Sequence, residues 1–340
     1  MRKNKQIFIA KVEDTNEIMK FINDEWKKNH ILSVNKKFFL YEYGNKDLLN
    51  FVIFKNSFNK INGILGFLKS SSDQNATVWT TMWKVSKSNG SPMLGIELLN
   101  FLREQGYKSI MSSGINENTV EIYKYLKFKV GSLSQYFLLN EELSKYKIAI
   151  VPKDYPKKKF KIENNKEFFF KKLNLNDLKT KFDFNKYYYR KPFKDFNYFK
   201  KRFFEHPIYA YDIYGVFNNT SLLSILVTRI NEYKKTSCIR IIDFYGEETV
   251  LSTFIYNLKK IMYSEDHEYI DFFSNGLDEK IIFNSGFLKL DSSNRDVVIP
   301  NYFEPFVRNN INIKYFSDTK DLKNLRIFKG DGDQDRPSVN

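Results

Sequence analysis

The sequence predicts an α/β (α+β) protein of two tandem units, each a mixed, mostly antiparallel twisted sheet flanked by helices. Three observations predict it. With 340 residues the chain exceeds one ordinary core and suits two domains of typical size. The same order of strand and helix signals runs through it twice. Matching segments, Lys127-Phe128 and Gly286-Phe287, close the last helix of each run and lie roughly 160 residues apart, about one domain length.

In the first run, Ile7-Phe8-Ile9-Ala10-Lys11-Val12 reads as an opening strand. Asp14-Thr15 then cap a helix with Ile18, Met19, Phe21, Ile22 and Trp26 on its apolar side. Strands follow at 50–54, 63–68 and 77–85, separated by polar turns at Asn62-Gly63 and 70–75. A small-residue loop, 86–92, leads to a helix over 93–105 with Leu94, Leu98, Leu99 and Leu102 on one face, stopped by Gly106. A strand at 108–112, a helix over 116–126 and a closing strand near 134–139, entered through 127–130, complete the run.

Residues 151–166 are rich in Pro and Lys, lack periodicity and read as a linker. The second run has a strand at 168–173, a helical or irregular stretch over 175–189, and strands at 209–217, 222–230 and 238–244. A helix over 249–262, a strand at 269–273, a helix over 277–284 and the start of a last strand at 297–299 follow. The units expected are therefore 1–150, the linker 151–166, a second unit 167–328 and a tail 329–340.

Hydrophobic residues make up 42% and aromatics 17%, enough for packed interiors and too many for a disordered chain. The formal charge of +15 is scattered apart from Pro156-Lys-Lys-Lys-Phe-Lys161. No basic helix or Arg-rich stripe appears, so a Lys- and Asn-rich coding bias accounts for the bulk charge better than a polyanionic partner, whether nucleic acid, a membrane surface or phosphate-bearing small molecules; no nucleic-acid partner is expected. The one cysteine, Cys238, lies in an apolar run and cannot form an internal disulfide, which points to a reducing compartment. There is no signal-peptide pattern and no window of roughly 20 apolar residues able to span a bilayer. The expected location is the cytoplasm. Oligomeric state stays open, a homodimer included.

Three meandering strands, a loop, a helix, a strand and a helix ending in Tyr-x-x-x-x-Phe form a recognisable order. The loop and helix read Val85-Ser-Lys-Ser-Asn-Gly-Ser-Pro-Met-Leu-Gly95-Ile-Glu-Leu-Leu99, and the later helix reads Asn116-Glu-Asn-Thr-Val-Glu-Ile-Tyr123-Lys-Tyr-Leu-Lys-Phe128. This run resembles the GCN5-related N-acetyltransferase superfamily. In that family the loop carries Arg/Gln-x-x-Gly-x-Gly/Ala, and its amides with the next helix N-terminus hold the pyrophosphate of CoA, as free donors at a positive dipole end would. Aligned on Leu98-Leu99, Gly95 fits that pattern, Met93 stands at the middle glycine and Gly90 where Arg or Gln is usual.

The resemblance implies acyl-CoA as cosubstrate, acetyl-CoA or a 3-hydroxyacyl-CoA, and no metal. It places the coenzyme against Val85, Ser86, Lys87, Ser88, Asn89, Gly90, Ser91, Met93, Leu94 and Gly95, with Asn118 on the pantetheine arm. Acyl transfer to an amine needs a proton taken from the amine, a donor for the tetrahedral oxyanion and an acid for the departing thiolate. Amides around 84–86 would serve the oxyanion, and Tyr123 is the candidate acid, as the resemblance implies. The competing reading of Tyr123 is one more aromatic in a Tyr-rich helix. In the second run Ile282 stands at its position, and Tyr245-Gly246-Glu247-Glu248-Thr249 puts two carboxylates where phosphate would lie. The second copy is therefore not expected to bind CoA.

That copy is expected to hold the acceptor instead. Its densest chemical cluster is Arg202-Phe-Phe-Glu205-His206-Pro207-Ile-Tyr209-Ala-Tyr211, with Asp243 and Tyr245 ending an apolar strand. His206 is a candidate base for a sugar ammonium near neutral pH, set against a histidine simply buried among aromatics. Arg202, Tyr209, Asp243 and Tyr245 are candidate acceptor-binding residues. The tail alternates Asp331, Asp333 and Asp335 before Arg336-Pro337 without the turn glycine and closing Glu of a calcium loop. It reads as a frayed acidic end or as a strap that brings Asp333, Asp335 and Arg336 to the cleft.

The layout, the His206-Pro207 segment and this tail resemble two-domain N-acyltransferases that modify nucleotide-linked amino-deoxysugars, of the dTDP-amino-dideoxyhexose N-3-hydroxybutyryltransferase type. This implies a dTDP- or UDP-linked aminosugar as acceptor and a role in bacterial surface polysaccharide (O-antigen or capsule). Two alternatives stand beside it: a peptidoglycan-bridge-type transferase using aminoacyl-tRNA, and a non-catalytic ligand-binding protein of the same fold.

Overall fold

The computed structural model describes residues 6–87, 93–155, 166–293 and 295–338. In the first half, β1 (Ile7–Lys11) precedes α1 (Thr15–Phe21), which runs on into a π-helical turn, Ile22–Trp26. Then come α2 (Ile31–Val34), α3 (Lys36–Tyr43), β2 (Gly44–Asn45), β3 (Leu48–Lys55), β4 (Ile61–Lys69) and β5 (Thr77–Val85). Helix α4 (Leu94–Arg103), β6 (Ser109–Ser113), α5 (Val120–Tyr125) and β7 (Lys129–Leu139) follow. The second half has β8 (Phe168–Lys172), α6 (Leu175–Lys181), α7 (Phe196–Phe199), β9 (Asp212–Asn218), β10 (Ser221–Tyr233) and β11 (Thr236–Gly246). It continues with α8 (Leu251–Ser264), β12 (Tyr269–Asn275), α9 (Glu279–Asn284) and β13 (Leu288–Lys289). The strands β14 (Tyr302–Phe303), β15 (Phe306–Val307), β16 (Ile313–Ser317) and β17 (Ile327–Phe328) follow.

One twisted sheet runs through both halves in the order β1-β3-β4-β5-β6-β16-β7-β12-β11-β10-β9-β8. Its neighbours are antiparallel except β5–β6 and β11–β12, which are equivalent pairs in the two runs. The helix closures are equivalent too. Lys127 and Gly286 both have positive φ, 61° and 92°, and the next residue's amide returns to the helix: Phe128 N–H to Tyr123 O, Phe287 N–H to Ile282 O. Ile282 therefore is the spatial counterpart of Tyr123.

The halves complete each other. Residues 129–133 of β7 pair with β16, which comes from near the chain's end and lies between β6 and β7. Residues 134–139 of the same strand pair with β12 in the second half. The closing strand expected near 134–139 is thus the second part of a longer one. Its beginning was obscured by Gly131, where a Cβ would meet the Tyr315 hydroxyl at 2.6 Å. The last strand expected at 297–299 is a single bridge, Val298 to Ile150, and its role passes to β16.

Packing follows the alternation of strand side chains. Leu94, Leu98, Leu99 and Leu102 of α4 bury against Val52, Leu65 and Val78 on one face of the first half, while Phe38, Phe39 and Ile18 cover the other. In the second half, Phe254, Ile255 and Leu258 of α8 cover one face, and Leu178, Phe199 and Phe203 the other. A shared core joins the halves, Trp79, Met111 and Leu133 with Phe273, Tyr315 and Ile327. No helix of the described residues is long and apolar enough to cross a membrane.

Candidate active site

Strands β5 and β6 pair from Thr77–Ser109 to Trp79–Met111 and then part. The last ties are Ser112 Oγ donating to Thr80 O at 2.8 Å and Thr80 Oγ1 donating to Met111 O at 3.3 Å. Against β4, the register shifts between Leu65 and Phe67, so Gly66 faces both Thr81 and Met82. Such a bulge bends the strand, re-aims side chains and ends pairing. Gly66 is required opposite it, since a Cβ there would meet Thr81 Oγ1 at 2.7 Å. The result is an open wedge between the C-terminal ends of two parallel strands.

Several predicted residues converge on this wedge. After the bulge, Trp83 lies on the α4 face, where its Nε1 donates to Gly95 O at 3.0 Å and its ring is 5.7 Å from that of Tyr123. A Cβ on Gly95 would press on the Trp83 ring at 3.3 Å, so the glycine lets α4 approach β5. Tyr123 is 4% exposed, stacks on Phe316 at 4.0 Å and hydrogen-bonds with Thr119. Burial pushes its phenol well above the usual range and keeps it neutral, a donor.

Of the amides around 84–86, Ser86 N–H is taken, donating to Asn62 O at 2.9 Å. The two-residue alternation then turns the Val85 peptide to the open edge. Ser86 Oγ donates to Glu25, Met93 is half exposed and Leu94 is buried in the core. Lys87 is exposed at the loop's start, and Asn118 lies exposed in the turn before α5, capped by Asn116 at 2.9 Å. Ser88, Asn89, Gly90 and Ser91 lie outside the described residues.

The second half has the same parting of parallel strands, but it is filled. β17 pairs with β12 at Ser274 and Asn275, and Gly330 N–H donates to Ile242 O at 2.7 Å. A strap, 325–331, therefore occupies the space an extended ligand would need. Asp243 is fully buried, held by Lys194 Nζ at 2.7 Å, which also contacts Asp331 at 2.9 Å. Tyr245 is buried and its hydroxyl accepts from Lys194 N–H at 3.2 Å. Glu247 pairs with Lys186, and Glu248 with Arg190 and Arg326. Two of the predicted acceptor contacts, Asp243 and Tyr245, are thus taken up by internal partners.

The described part of the tail, 329–338, is packed against both halves. Asp335 is buried between Arg229 at 2.7 Å and the Tyr211 hydroxyl at 2.9 Å, and Arg229 holds its carboxyl well below the usual range. Arg336 donates to Glu42 at 2.9 Å and to the Tyr43 hydroxyl at 2.6 Å, and pairs with Asp333 at 2.9 Å. With these carboxylates committed to cations, the Asp-rich run offers no calcium loop.

His206 packs against Phe38 and Tyr41 of the first half and Tyr209 and Tyr211 of the second. Its Nδ1 accepts from the amides of Ile208 and Tyr209, at 3.2 and 2.8 Å, so the ring's proton sits on Nε2. Burial and Arg202 lower its pKa to about 4. The imidazole is therefore a neutral donor, with no free lone pair for the base role expected. Tyr209 donates to Glu304 at 2.7 Å under the Arg229 guanidinium.

Arg202 donates to Gly332 O at 3.0 Å and lines a cavity of about 310 Å³ between the halves. Sequence reasoning missed this cavity. Its walls include Tyr41, Glu42, Lys69, Trp79, Tyr198 and Lys201, from four separate segments. Lys69 is half-buried there, and loss of solvent lowers its pKa. Trp79 ends the paired stretch of β5, so cavity and wedge meet at this residue.

No family model matches the sequence, and no curated protein matches it. Solved structures do match. A GCN5-related N-acetyltransferase from Anabaena variabilis superposes over 92% of this chain and 71% of its own, at 10% identity and a TM-score of 0.56. An Enterococcus faecalis protein of unknown function, described as a probable N-acyltransferase, does so over 93% and 72%, at 8% identity and 0.56. Similarity at this identity speaks to the fold, and the wedge, bulge and helix closures found here agree with it. The chain has the fold of the GCN5-related N-acetyltransferases.

Proposed function

We propose that the protein is an acyl-CoA-dependent N-acyltransferase whose first half holds the acyl-CoA and whose acceptor is the amine of a nucleotide-diphospho amino-deoxysugar, dTDP- or UDP-linked, used for bacterial surface polysaccharide. One contrast carries this reading. Among the described residues no strand fills the wedge of the first half, near which Gly95, Val85 and Tyr123 lie, while the equivalent wedge of the second half is plugged by the chain itself. The start of α4 is a positive dipole end whose first-turn amides have no acceptor within the helix, suited to an anion.

The chain's own groups then act as follows. The amine nitrogen attacks the thioester carbonyl, the C–S bond breaks, and the proton that the nitrogen loses ends, by way of solvent, on the departing sulfur, so the products are an amide and a thiol. The Val85 N–H would stabilise the oxyanion, a task worth about 3–4 kcal/mol when one donor is removed. Tyr123 would donate to the departing sulfur. Its raised pKa favours a hydrogen bond to the developing thiolate over full proton transfer. His206, whose lone pair is taken by two backbone amides, has no part in this proton transfer.

The test is Tyr123→Phe. Calorimetry should find acetyl-CoA or 3-hydroxybutyryl-CoA binding unchanged, with turnover on a dTDP-linked aminosugar reduced by about 10²–10⁴. Unchanged turnover removes Tyr123 from the mechanism. No binding of any CoA ester to the unaltered chain removes the donor assignment.

A further inference from the structure

The cavity between the halves holds polar groups that the fold leaves unmatched. Among the described residues, Trp79 Nε1 and Glu42 Oε1 are buried without a hydrogen-bond partner, on side chains 1% and 4% exposed. Both residues line the cavity. Glu42 is fixed in place: Arg336 binds Oε2 at 2.9 Å, while Arg202 comes only to 3.7 Å of Oε1. Buried polar atoms normally find partners, so a donor missing opposite Glu42 and an acceptor missing opposite Trp79 describe a ligand.

Two cations add to the description. Among the described residues neither Lys69 nor Lys201 is ion-paired, and their ammonium groups lie over tyrosine rings, Tyr107 at 5.4 Å and Tyr41 at 5.6 Å. Lys69 is half-buried on β4 and Lys201 lies partly exposed in the helical turn Lys200–Phe204 of the other half. An anionic group reaching both would bridge the halves. The Tyr41 and Tyr198 rings give flat apolar walls to whatever joins this anion to the nitrogen.

We propose that this cavity is the acceptor site, and that it selects an amine joined to a phosphate-type anion, with the nitrogen at Glu42 and the anion between Lys69 and Lys201. Its role as acceptor site rests on the acyl-transfer reading above; its ligand chemistry does not. Trp79 lines the cavity and also bounds the wedge, so the proposed acceptor site adjoins the proposed acyl-CoA site.

The experiment is calorimetric titration of the full chain with glucosamine 1-phosphate, glucose 1-phosphate and glucosamine, each without and with saturating acetyl-CoA. Glucosamine 1-phosphate should bind at least tenfold more tightly than either of the others. Lys69→Ala with Lys201→Ala should abolish the advantage conferred by phosphate, and Glu42→Gln the advantage conferred by the amine. The lysine pair lies outside the buried ion pairs, so its variant keeps the test valid if the Glu42 variant unfolds. Equal binding of all three sugars, no binding of any, or an unaltered preference in the lysine variant overturns the proposal. Acetyl-CoA binding without sugar binding sinks the cavity assignment alone; sugar binding without acetyl-CoA binding sinks the transferase reading and leaves the ligand chemistry standing.

Discussion

At the scale of single residues, burial decides what a side chain can do more than its identity does. His206 and His30 both cap turns through Nδ1, His30 accepting from Leu32 N–H at 3.2 Å, and both have pKa values lowered to about 4 by burial. In the unfolded chain they titrate near 6.5. Above that pH neither state is protonated and the two rings contribute no pH dependence. As pH falls from about 6.5 to about 4 the unfolded state gains protons first, so stability is lost across that window, on the order of 3 kcal/mol per ring at most. Melting temperatures between pH 7 and pH 4.5 should show this, and His206→Asn, which keeps an acceptor near Nδ1 but cannot titrate, should flatten the slope. Identical slopes would dismiss the lowered pKa of His206. The sequence singled out His206 for its neighbours Arg202, Tyr209 and Tyr211, which the structure does bring round it. It could not show that two backbone amides take the lone pair. Tyr123 was legible because the helix closure has a local signature, whereas Glu42, Lys69, Trp79 and Lys201 share a cavity only through contacts between distant segments.

At the scale of elements, local patterns were readable and long-range pairing was not. The α4 stripe of Leu94, Leu98, Leu99 and Leu102 and the strands β3, β4 and β5 carry their own periodicity. Helix α3 went unread because its buried face, Phe38, Phe39, Glu42 and Tyr43, includes a carboxylate while the apolar Leu40 and Tyr41 lie off it, and α2 is only four residues long. The tail was misjudged for a related reason: its Asp and Gly residues look solvated in sequence, yet Asp331 and Asp335 meet Lys194 and Arg229 from other segments, and Asp333 meets Arg336 of the tail itself. Gly330 is a point of close approach. A Cβ there would meet Ile242 Cγ2 at 2.9 Å and Ile242 O at 3.0 Å, against the strand whose carbonyl receives the Gly330 amide. Gly330→Ala should therefore force the strap off β11 and lower stability by about 1–3 kcal/mol, the usual range for overpacking. Urea denaturation measures this. A variant as stable as the parent would mean that the strap only rests on the second half.

At the scale of the whole molecule, the two runs are similar but neither closes alone. The first half needs β16 between β6 and β7, and the second needs residues 134–139 beside β12. The shared core of Trp79, Met111 and Leu133 with Phe273 and Ile327 would be exposed on both sides of a cut. So would the buried charges at the junction: Glu42 belongs to the first half, and its partners Arg202 and Arg336 lie in the second. Removing one partner of such a pair costs about 3–5 kcal/mol, against a total stability of roughly 5–15 kcal/mol for an ordinary domain. A chain cut within 156–165 should thus give fragments that fail to fold singly. Mixed in equal amounts, they should recover a cooperative transition, because the exchanged strands need no covalent link. Circular dichroism and analytical ultracentrifugation of each fragment and of the mixture decide it. A first fragment that unfolds cooperatively alone would show that β16 is dispensable, and that the shared sheet is not what holds the proposed donor and acceptor sites together.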